Sequence, residues 1–176
     1  MQVEVLQSEN IYQGRAFDVR RDQIRLPDGR TAAMDIVDHS QAVTILPVDA
    51  AGEIWFVRQY RHPIGELLLE LPAGTLEANE DPQEAAGREI REEIGMAASE
   101  LQLLSEFYLA PGYSTEYMYI YLATGLSPAP LDQDEDEYLF VEKIPTTEAY
   151  RMLASGQLRD AKTLLGLELA RPHLLK

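Results

Sequence analysis

The segment from residue 74 to residue 96 constrains this chain more than any other, because it places a row of glutamates on one predicted helix. Asp81 can cap the free backbone N–H groups where that helix begins, and Gly95 is a typical residue for its end. At about 100° per residue, the apolar side chains of the helix form one narrow stripe, and Glu89 and Glu93 lie against its edge. The helix is therefore predicted to carry carboxylates towards the body of the protein.

Carboxylates at the edge of an apolar stripe need a cation, because an unpaired buried anion is costly and neighbouring anions repel each other. Arg88 is predicted to pair with Glu84 and Glu92 and to point away from Glu89 and Glu93. A hard divalent ion with oxygen ligands, Mg²⁺ or Mn²⁺, is the natural candidate, and such ions usually accompany a phosphate-bearing substrate. The alternative interpretation is a solvated acidic face, which is what most acidic runs are.

The bulk properties of the chain limit its class. With 176 residues, of which 45% are hydrophobic, the chain can form one domain with a real core, and it leaves room for a small N-terminal subdomain. The absence of Cys excludes disulfides and thiol chemistry and fits a cytoplasmic location. The net charge of −15 argues against nucleic acid or an anionic membrane as a partner. No signal peptide or transmembrane run is expected.

The N-terminal part of the chain has the pattern of short strands separated by turns. Turn signals stand at 10–14 and 26–30, and strands are predicted at 3–8, 16–26, 31–38, 42–48 and 53–61. A sheet of two or three strands is marginal alone in water, so the first three strands are expected to pack on something else. We accordingly predict an N-terminal strand subdomain at 1–40 and a larger domain at 41–176.

The remainder of the chain alternates strands, loops and helices. Residues 65–71 are interpreted as a connector, residues 109–116 as a loop, and the acidic run at 131–137 as either a solvated loop or a second source of carboxylates. Further strands are predicted at 101–108, 117–123 and 138–142, and helices at 146–154 and 160–170, the last one closed before Pro172.

The spacing from Gly74 onwards is Gly-x5-Glu-x7-Arg-Glu-apolar-x-Glu-Glu-x-Gly-apolar, and it resembles the signature of the Nudix hydrolase superfamily at every specified position. Within the superfamily the chain is similar to the ADP-ribose pyrophosphatases, which carry a proline sixteen residues after the last glycine of the signature, as Pro111 follows Gly95 here. The resemblance implies an α+β architecture, the α/β/α sandwich of the Nudix fold, with a mixed β-sheet between helices. It also implies an N-terminal antiparallel strand subdomain that dimerises by exchange with a second copy.

The resemblance further implies an activity. The expected reaction is Mg²⁺-dependent hydrolysis of the pyrophosphate bond of ADP-ribose, or of a related nucleoside diphosphate sugar, to AMP and ribose 5-phosphate. One alternative is a Nudix pyrophosphatase for GDP-mannose or nucleoside triphosphates. Another is a Nudix-fold nucleotide-binding module without turnover, although such modules usually lack signature glutamates that this chain retains.

Site residues follow from the resemblance position by position. Two or three Mg²⁺ ions, or Mn²⁺ in their place, are expected on the backbone oxygen of Ala73 and on Glu89, Glu92, Glu93 and Glu137. Glu135 corresponds to the catalytic base, Glu92 shares the metals, and Arg88 orients the glutamates. The expected substrate-binding residues are Arg61, Glu116, Leu109, Phe17 and Arg58.

Two features of this set remain open at the level of sequence. Arg58 and Arg61 close one predicted strand, and ordinary surface charge is the alternative to a role in binding diphosphate. Relatives commonly place an arginine before the equivalent of Ile36, whereas this chain has Ala33 and Met34 there. That departure bears on the preference for ADP-ribose over other nucleotide sugars.

Overall fold

The computed structural model describes residues 2–132 and 138–175. In these ranges the chain forms ten strands, a 3₁₀ turn at His62–Ile64 and three helices. The strands are β1 (Glu4–Gln13), β2 (Asp18–Arg25), β3 (Thr31–Asp38), β4 (Ala42–Pro47), β5 (Glu53–Arg61), β6 (Glu66–Glu70), β7 (Ala73–Thr75), β8 (Met96–Tyr108), β9 (Tyr117–Pro128) and β10 (Leu139–Pro145). The helices are α1 (Pro82–Ile94), α2 (Thr146–Ala154) and α3 (Ala161–Leu174).

The chain divides into two compact units. Unit 1 holds the chain up to Gln41 together with Phe107–Met118, and unit 2 holds Ala42–Glu106 and the chain from Tyr119 onwards. The predicted boundary after residue 40 stays a prediction of domain organisation.

Unit 1 is built on an antiparallel sheet with the order β1-β2-β3. The turn predicted at 10–14 is wrong over most of its length, because β1 continues to Gln13 and Tyr12 pairs with Val19. The chain reverses after Gly14, whose N–H donates to the Asp18 carboxylate at 3.1 Å. The cross-strand partner rather than the local turn propensity decides where this strand ends.

The 109–116 segment of unit 1 is anchored to β3 by backbone hydrogen bonds. The N–H of Val37 donates to the carbonyl of Tyr113 at 2.8 Å, and the N–H of Thr115 donates to the carbonyl of Val37 at 3.0 Å. The segment predicted as a loop therefore has a defined conformation in unit 1.

Unit 2 contains the sheet β10-β5-β6 and most of the four-stranded sheet β7-β4-β9-β8. Helix α1 packs its apolar stripe of Ala86, Ile90 and Ile94 in a buried cluster with Val43 and Ile45 of β4. A second cluster holds Phe56, Leu71 and Leu167 among its members, so β5 and α3 share one core. The two cores fix the helix and the strands that carry the predicted site.

Two predictions about unit 2 are wrong. The segment interpreted as a connector contains β6, because Leu67 and Leu69 pair antiparallel with Tyr60 and Arg58 of β5. Helix α3 does not close before Pro172 but contains it. The proline lies in the last turn, where it removes one hydrogen bond from a helix that buried packing already holds.

None of the helices in the described ranges is both long and apolar enough to cross a membrane.

Candidate active site

Helix α1 brings two of the predicted metal ligands into the protein. The Asp81 carboxylate accepts from the N–H of Gln83 at 2.8 Å, and Gly95 closes the helix with a φ of 71°, as the sequence predicted. Glu89 and Glu93 stand one turn apart on the buried side and are 8% and 2% exposed. Two carboxylates are thus held at the rim of an apolar core, where their charges must be compensated.

The backbone of β7 lies directly against these glutamates. The N–H of Ala73 donates to Glu93 Oε2 at 3.0 Å. A Cβ atom built on Gly74 would overlap the carboxylate of Glu89. Pairing of Gly74 with Val43 of β4 holds this backbone in place. A side chain at position 74 would therefore displace the Glu89 carboxylate from its position against the strand.

Arg88 pairs with Glu92 as predicted, but its other partners differ from the prediction. Its Nε and Nη2 donate to the two carboxylate oxygens of Glu80 at 2.9 and 3.0 Å, and its Nη1 donates to Glu89 and Glu92 at 2.8 Å each. The expected pair with Glu84 is absent from the described contacts, and the pair with the neighbouring Glu89 was not expected. The helical period sets the direction of a Cβ atom, but the long arginine side chain reaches sideways and back beyond the helix start.

The charges of this cluster support one another. Hydrogen bonds from Arg88 lower the pKa of Glu80, although partial burial opposes the effect. The Glu80 hydrogen bonds in turn raise the pKa of Arg88 against the effect of burial, and the charge of Glu89 and the hydrogen bonds to Glu89 and Glu92 act in the same direction. The cluster consequently combines one fixed cation with three carboxylates.

The donor atoms of the site fit a hard divalent cation. Within residues 2–132 and 138–175, no three His, Asp or Glu side chains converge on one point that could hold a metal ion. Arg88 Nη1 lies between the carboxylates of Glu89 and Glu92, and Glu93 is bound to the backbone of Ala73. Carboxylate and carbonyl oxygens are nevertheless the ligands that Mg²⁺ and Mn²⁺ prefer. The predicted ligand Glu137 and the predicted base Glu135 lie outside the described residues.

Arg61 and Arg58 occupy different surroundings on β5. Arg61 donates to both carboxylate oxygens of Glu70 at 2.8 and 2.7 Å. The Glu70 hydrogen bonds raise the pKa of Arg61, and the charge of Glu93 adds to the effect, so the two groups lie within electrostatic reach. Arg58 pairs instead with Glu142 of β10 at 2.7 Å, and strand alternation puts it on the other face of β5. The two arginines therefore lie on opposite faces of β5, and the charge of Glu93 acts on Arg61.

The other predicted substrate residues belong to unit 1. The N–H of Leu109 donates to the carbonyl of Glu116 at 3.1 Å, so these two are brought together. Phe17 is exposed in the turn between β1 and β2, and its ring centroid lies 6.4 Å from that of Tyr12.

Sequence reasoning missed three charged residues that shape the site. Glu80 is a specified glutamate of the signature, and this alone could have marked it as a partner for Arg88. Glu70 interrupts an apolar run at 67–71, and a charged residue within such a run indicates a buried group that is paired with another. Lys162, which contacts Glu70 from α3, has no such signal, because it lies 92 residues away in the chain.

Replacement of Gly74 with alanine tests the close approach of strand and helix. We expect Gly74→Ala to lower the free energy of unfolding by about 1–3 kcal/mol, because the added methyl group overpacks the contact with Glu89. Urea denaturation followed by circular dichroism measures the change. Gly87→Ala is the matched control, since its Cβ would meet only Leu101 at an ordinary 3.8 Å and should stabilise α1 by up to about 1 kcal/mol. Equal effects of the two substitutions would contradict the close contact.

Comparison with known proteins gives consistent results over most of the chain. The NUDIX domain model matches residues 38–165, and the model of the nucleoside diphosphate sugar hydrolase N-terminal domain matches residues 3–33. The ADP-ribose pyrophosphatase of Mycobacterium tuberculosis is 40% identical over 93% of this chain and 81% of its own length. The GDP-mannose pyrophosphatase of Yersinia enterocolitica is 34% identical over 81% of this chain and 80% of its own length.

A solved structure extends the similarity to the fold. The crystal structure of an ADP compounds hydrolase matches with a TM-score of 0.88 and 26% identity, and the match covers 99% of this chain and 95% of that chain.

Proposed function

The chain belongs to the Nudix family of hydrolases, and from this premise we propose that it cleaves the pyrophosphate bond of ADP-ribose, with Mg²⁺, to AMP and ribose 5-phosphate. The observation that carries the proposal is the pair of buried carboxylates, Glu89 and Glu93, held against the backbone of Ala73 and Gly74. Arg88 pairs with Glu89 at this rim, and carboxylate oxygens grouped beside a strand backbone are the ligands that a hard divalent cation prefers.

The metal ligands in the proposal are the backbone oxygen of Ala73 and the carboxylates of Glu89, Glu92 and Glu93, with Glu137 from the acidic segment. A divalent ion bound there would offset the charge of a diphosphate and make a water molecule more acidic. Mg²⁺ rather than Mn²⁺, and two or three ions rather than one, stay predictions.

The protein's own groups have separate tasks in the proposed reaction. Arg88 keeps Glu89 and Glu92 in place through hydrogen bonds of 2.8 Å. Arg61 binds the diphosphate through the guanidinium N–H donors that are not used in its pair with Glu70. Glu135 takes the proton of the water whose oxygen attacks phosphorus, and the bridging P–O bond breaks.

A homodimer through the N-terminal strands is part of the proposal. All residues of β1 are exposed in the single chain, and Val5, Ile11 and Tyr12 are among them. Exposed apolar side chains along a strand favour a protein partner, and a second copy is the simplest one. The cytoplasmic location stays a prediction.

The experiment that tests the activity compares ADP-ribose, GDP-mannose, ADP-glucose and deoxynucleoside triphosphates by release of the matching monophosphate. We expect ADP-ribose to have the highest kcat/KM with Mg²⁺, and we expect a chelator to abolish release. Addition of excess Mg²⁺ to the chelated enzyme is the control and should restore the rate. Absence of release from every substrate would contradict the proposed enzyme and favour a binding module.

GDP-mannose is the second candidate substrate. The 34% identical Yersinia relative is a GDP-mannose pyrophosphatase, and Ala33 and Met34 stand where an arginine is common. A higher kcat/KM for GDP-mannose in the same panel would favour this candidate and leave the metal chemistry unchanged.

A further inference from the structure

Glu70 is a buried carboxylate at the end of β6 to which the proposed reaction gives no task. It is 1% exposed, and both of its oxygens are engaged. Arg61 binds them side by side, through Nε to Oε1 at 2.8 Å and through Nη2 to Oε2 at 2.7 Å, and Lys162 Nζ also binds Oε2. A parallel pair of this kind sets the plane and the direction of the guanidinium group.

The pair leaves part of Arg61 free to bind another ligand. Arginine has five N–H donors, and the pair with Glu70 uses one on Nε and one on Nη2. The Arg61 side chain is 40% exposed, whereas the Glu70 side chain below it is 1% exposed. The outer edge of the guanidinium group therefore faces away from Glu70 and can meet an anion.

Glu70 is itself held in place by helix α3. Lys162 bridges Glu70 to Asp160, whose Oδ1 lies 2.9 Å from Nζ. Asp160 caps α3 by accepting from the N–H of Thr163 at 3.0 Å, and Thr163 Oγ1 accepts from the N–H of Leu71 at 2.8 Å. The residue that follows Glu70 is thus bound to the same helix start that supplies Lys162, so the carboxylate has little freedom to move.

The charge of Glu70 is also secured. Burial acts to raise the pKa of Glu70, but hydrogen bonds and charge from Arg61 and Lys162 more than offset it, and the pKa lies below its usual value. Glu70 is therefore favoured in its ionised form, which is the form that keeps the parallel pair with Arg61.

We propose that Glu70 is a positioning residue for Arg61, which it holds by the inner edge of the guanidinium so that the outer edge meets the diphosphate of the substrate. The inference rests on the proposed function, because that function gives Arg61 its anionic ligand. The contrasting interpretation is an ion pair that serves only the fold of unit 2.

The first test is the kinetics of Glu70→Gln with Mg²⁺ and the substrate that the wild type prefers. Glutamine keeps one acceptor oxygen but turns an NH₂ group towards Arg61, which breaks the parallel pair. We expect KM to rise about ten-fold and kcat to change less than about two-fold, since the lost contact acts on substrate binding. Glu168→Gln, which breaks the matched but exposed bidentate pair with Arg171 on α3, should leave both constants unchanged.

Two further variants separate positioning from folding. Glu70→Asp keeps the buried charge but draws the carboxylate back by one methylene, so KM should still rise while the melting temperature falls less than in Glu70→Gln. The double variant Arg61→Lys/Glu70→Gln should have nearly the same KM as the single variant Arg61→Lys, because Glu70 acts through Arg61. An unchanged KM in Glu70→Asp, or effects of Arg61→Lys and Glu70→Gln that multiply, would overturn the proposal.

The second measurement does not depend on activity. The Nε–H NMR signal of Arg61, identified by its absence in Arg61→Lys, should be protected from exchange with water in the wild type and lost in Glu70→Gln. A signal that stays protected in Glu70→Gln would overturn the positioning role even if no substrate were cleaved. Absence of turnover in the wild type with loss of the signal in the variant would instead contradict the proposed function alone.

Discussion

Glu93→Gln is expected to lower kcat/KM about 1,000-fold, which corresponds to roughly 4 kcal/mol of lost transition-state stabilisation. The reason is that Glu93 is 2% exposed, is bound to the backbone of Ala73, and is one of the two buried carboxylates among the proposed metal ligands. Glutamine has the same size and can still accept the hydrogen bond from the N–H of Ala73. The fold should therefore survive while the charge that the metal needs is lost.

The measurement for Glu93→Gln is monophosphate release over a range of Mg²⁺ concentrations, together with metal binding by calorimetry. The melting temperature without metal shows whether the fold is intact. Glu84→Gln is the matched control, because Glu84 lies on the exposed face of the same helix and should have wild-type kinetics. An active Glu93→Gln enzyme with unchanged metal affinity would remove Glu93 from the metal site.

Arg88→Met is expected to lower the free energy of unfolding by about 2–3 kcal/mol, and the melting temperature by roughly 5–10 °C. Arg88 is the common partner of Glu80, Glu89 and Glu92, all three with side chains at most about one-fifth exposed. Methionine fills much of the arginine volume but leaves three neighbouring carboxylates without that cation. The expected loss of stability lies between that for breaking an exposed salt bridge and that for breaking a fully buried one, because the cluster is partly accessible to water.

Thermal unfolding with and without Mg²⁺ measures this effect. We expect added Mg²⁺ to raise the melting temperature of Arg88→Met more than that of the wild type, because the ion would compensate carboxylates that Arg88 no longer holds. Arg151→Met is the control, since it removes an exposed pair with Glu148 on α2 and should change stability by less than about 0.5 kcal/mol. Equal melting temperatures for Arg88→Met and the wild type would show that the cluster does not depend on this arginine.

Much of the fold and part of the site could be predicted from the sequence. The predicted α+β Nudix architecture is confirmed by the match to a solved ADP compounds hydrolase with a TM-score of 0.88. The start of α1 at Asp81 and its end at Gly95 are confirmed as well. These features depend on local chemistry, because a cap, a left-handed glycine and a helical period act within a few residues.

The errors of prediction have a common physical cause. The 10–14 turn signal gave way to the pairing of Tyr12 with Val19, and the apparent connector at 65–71 became β6 by pairing with β5. Pro172 lies inside α3 because the stabilisation from packing of that helix is larger than the cost of one lost hydrogen bond. In each case a partner distant in the chain overrode a local preference.

The sequence by itself determined which carboxylates lie on one side of α1, because four-residue spacing on a helix places Glu89 and Glu93 one above the other. The sequence could not determine which cationic groups offset the negative charges of the carboxylates in and around the site. The end of the Arg88 side chain binds Glu80, which lies before the start of the helix. Arg61 binds Glu70, and Lys162 of α3 binds the same carboxylate. Such pairs depend on the meeting of distant segments and on side-chain reach, and only the tertiary structure settles both.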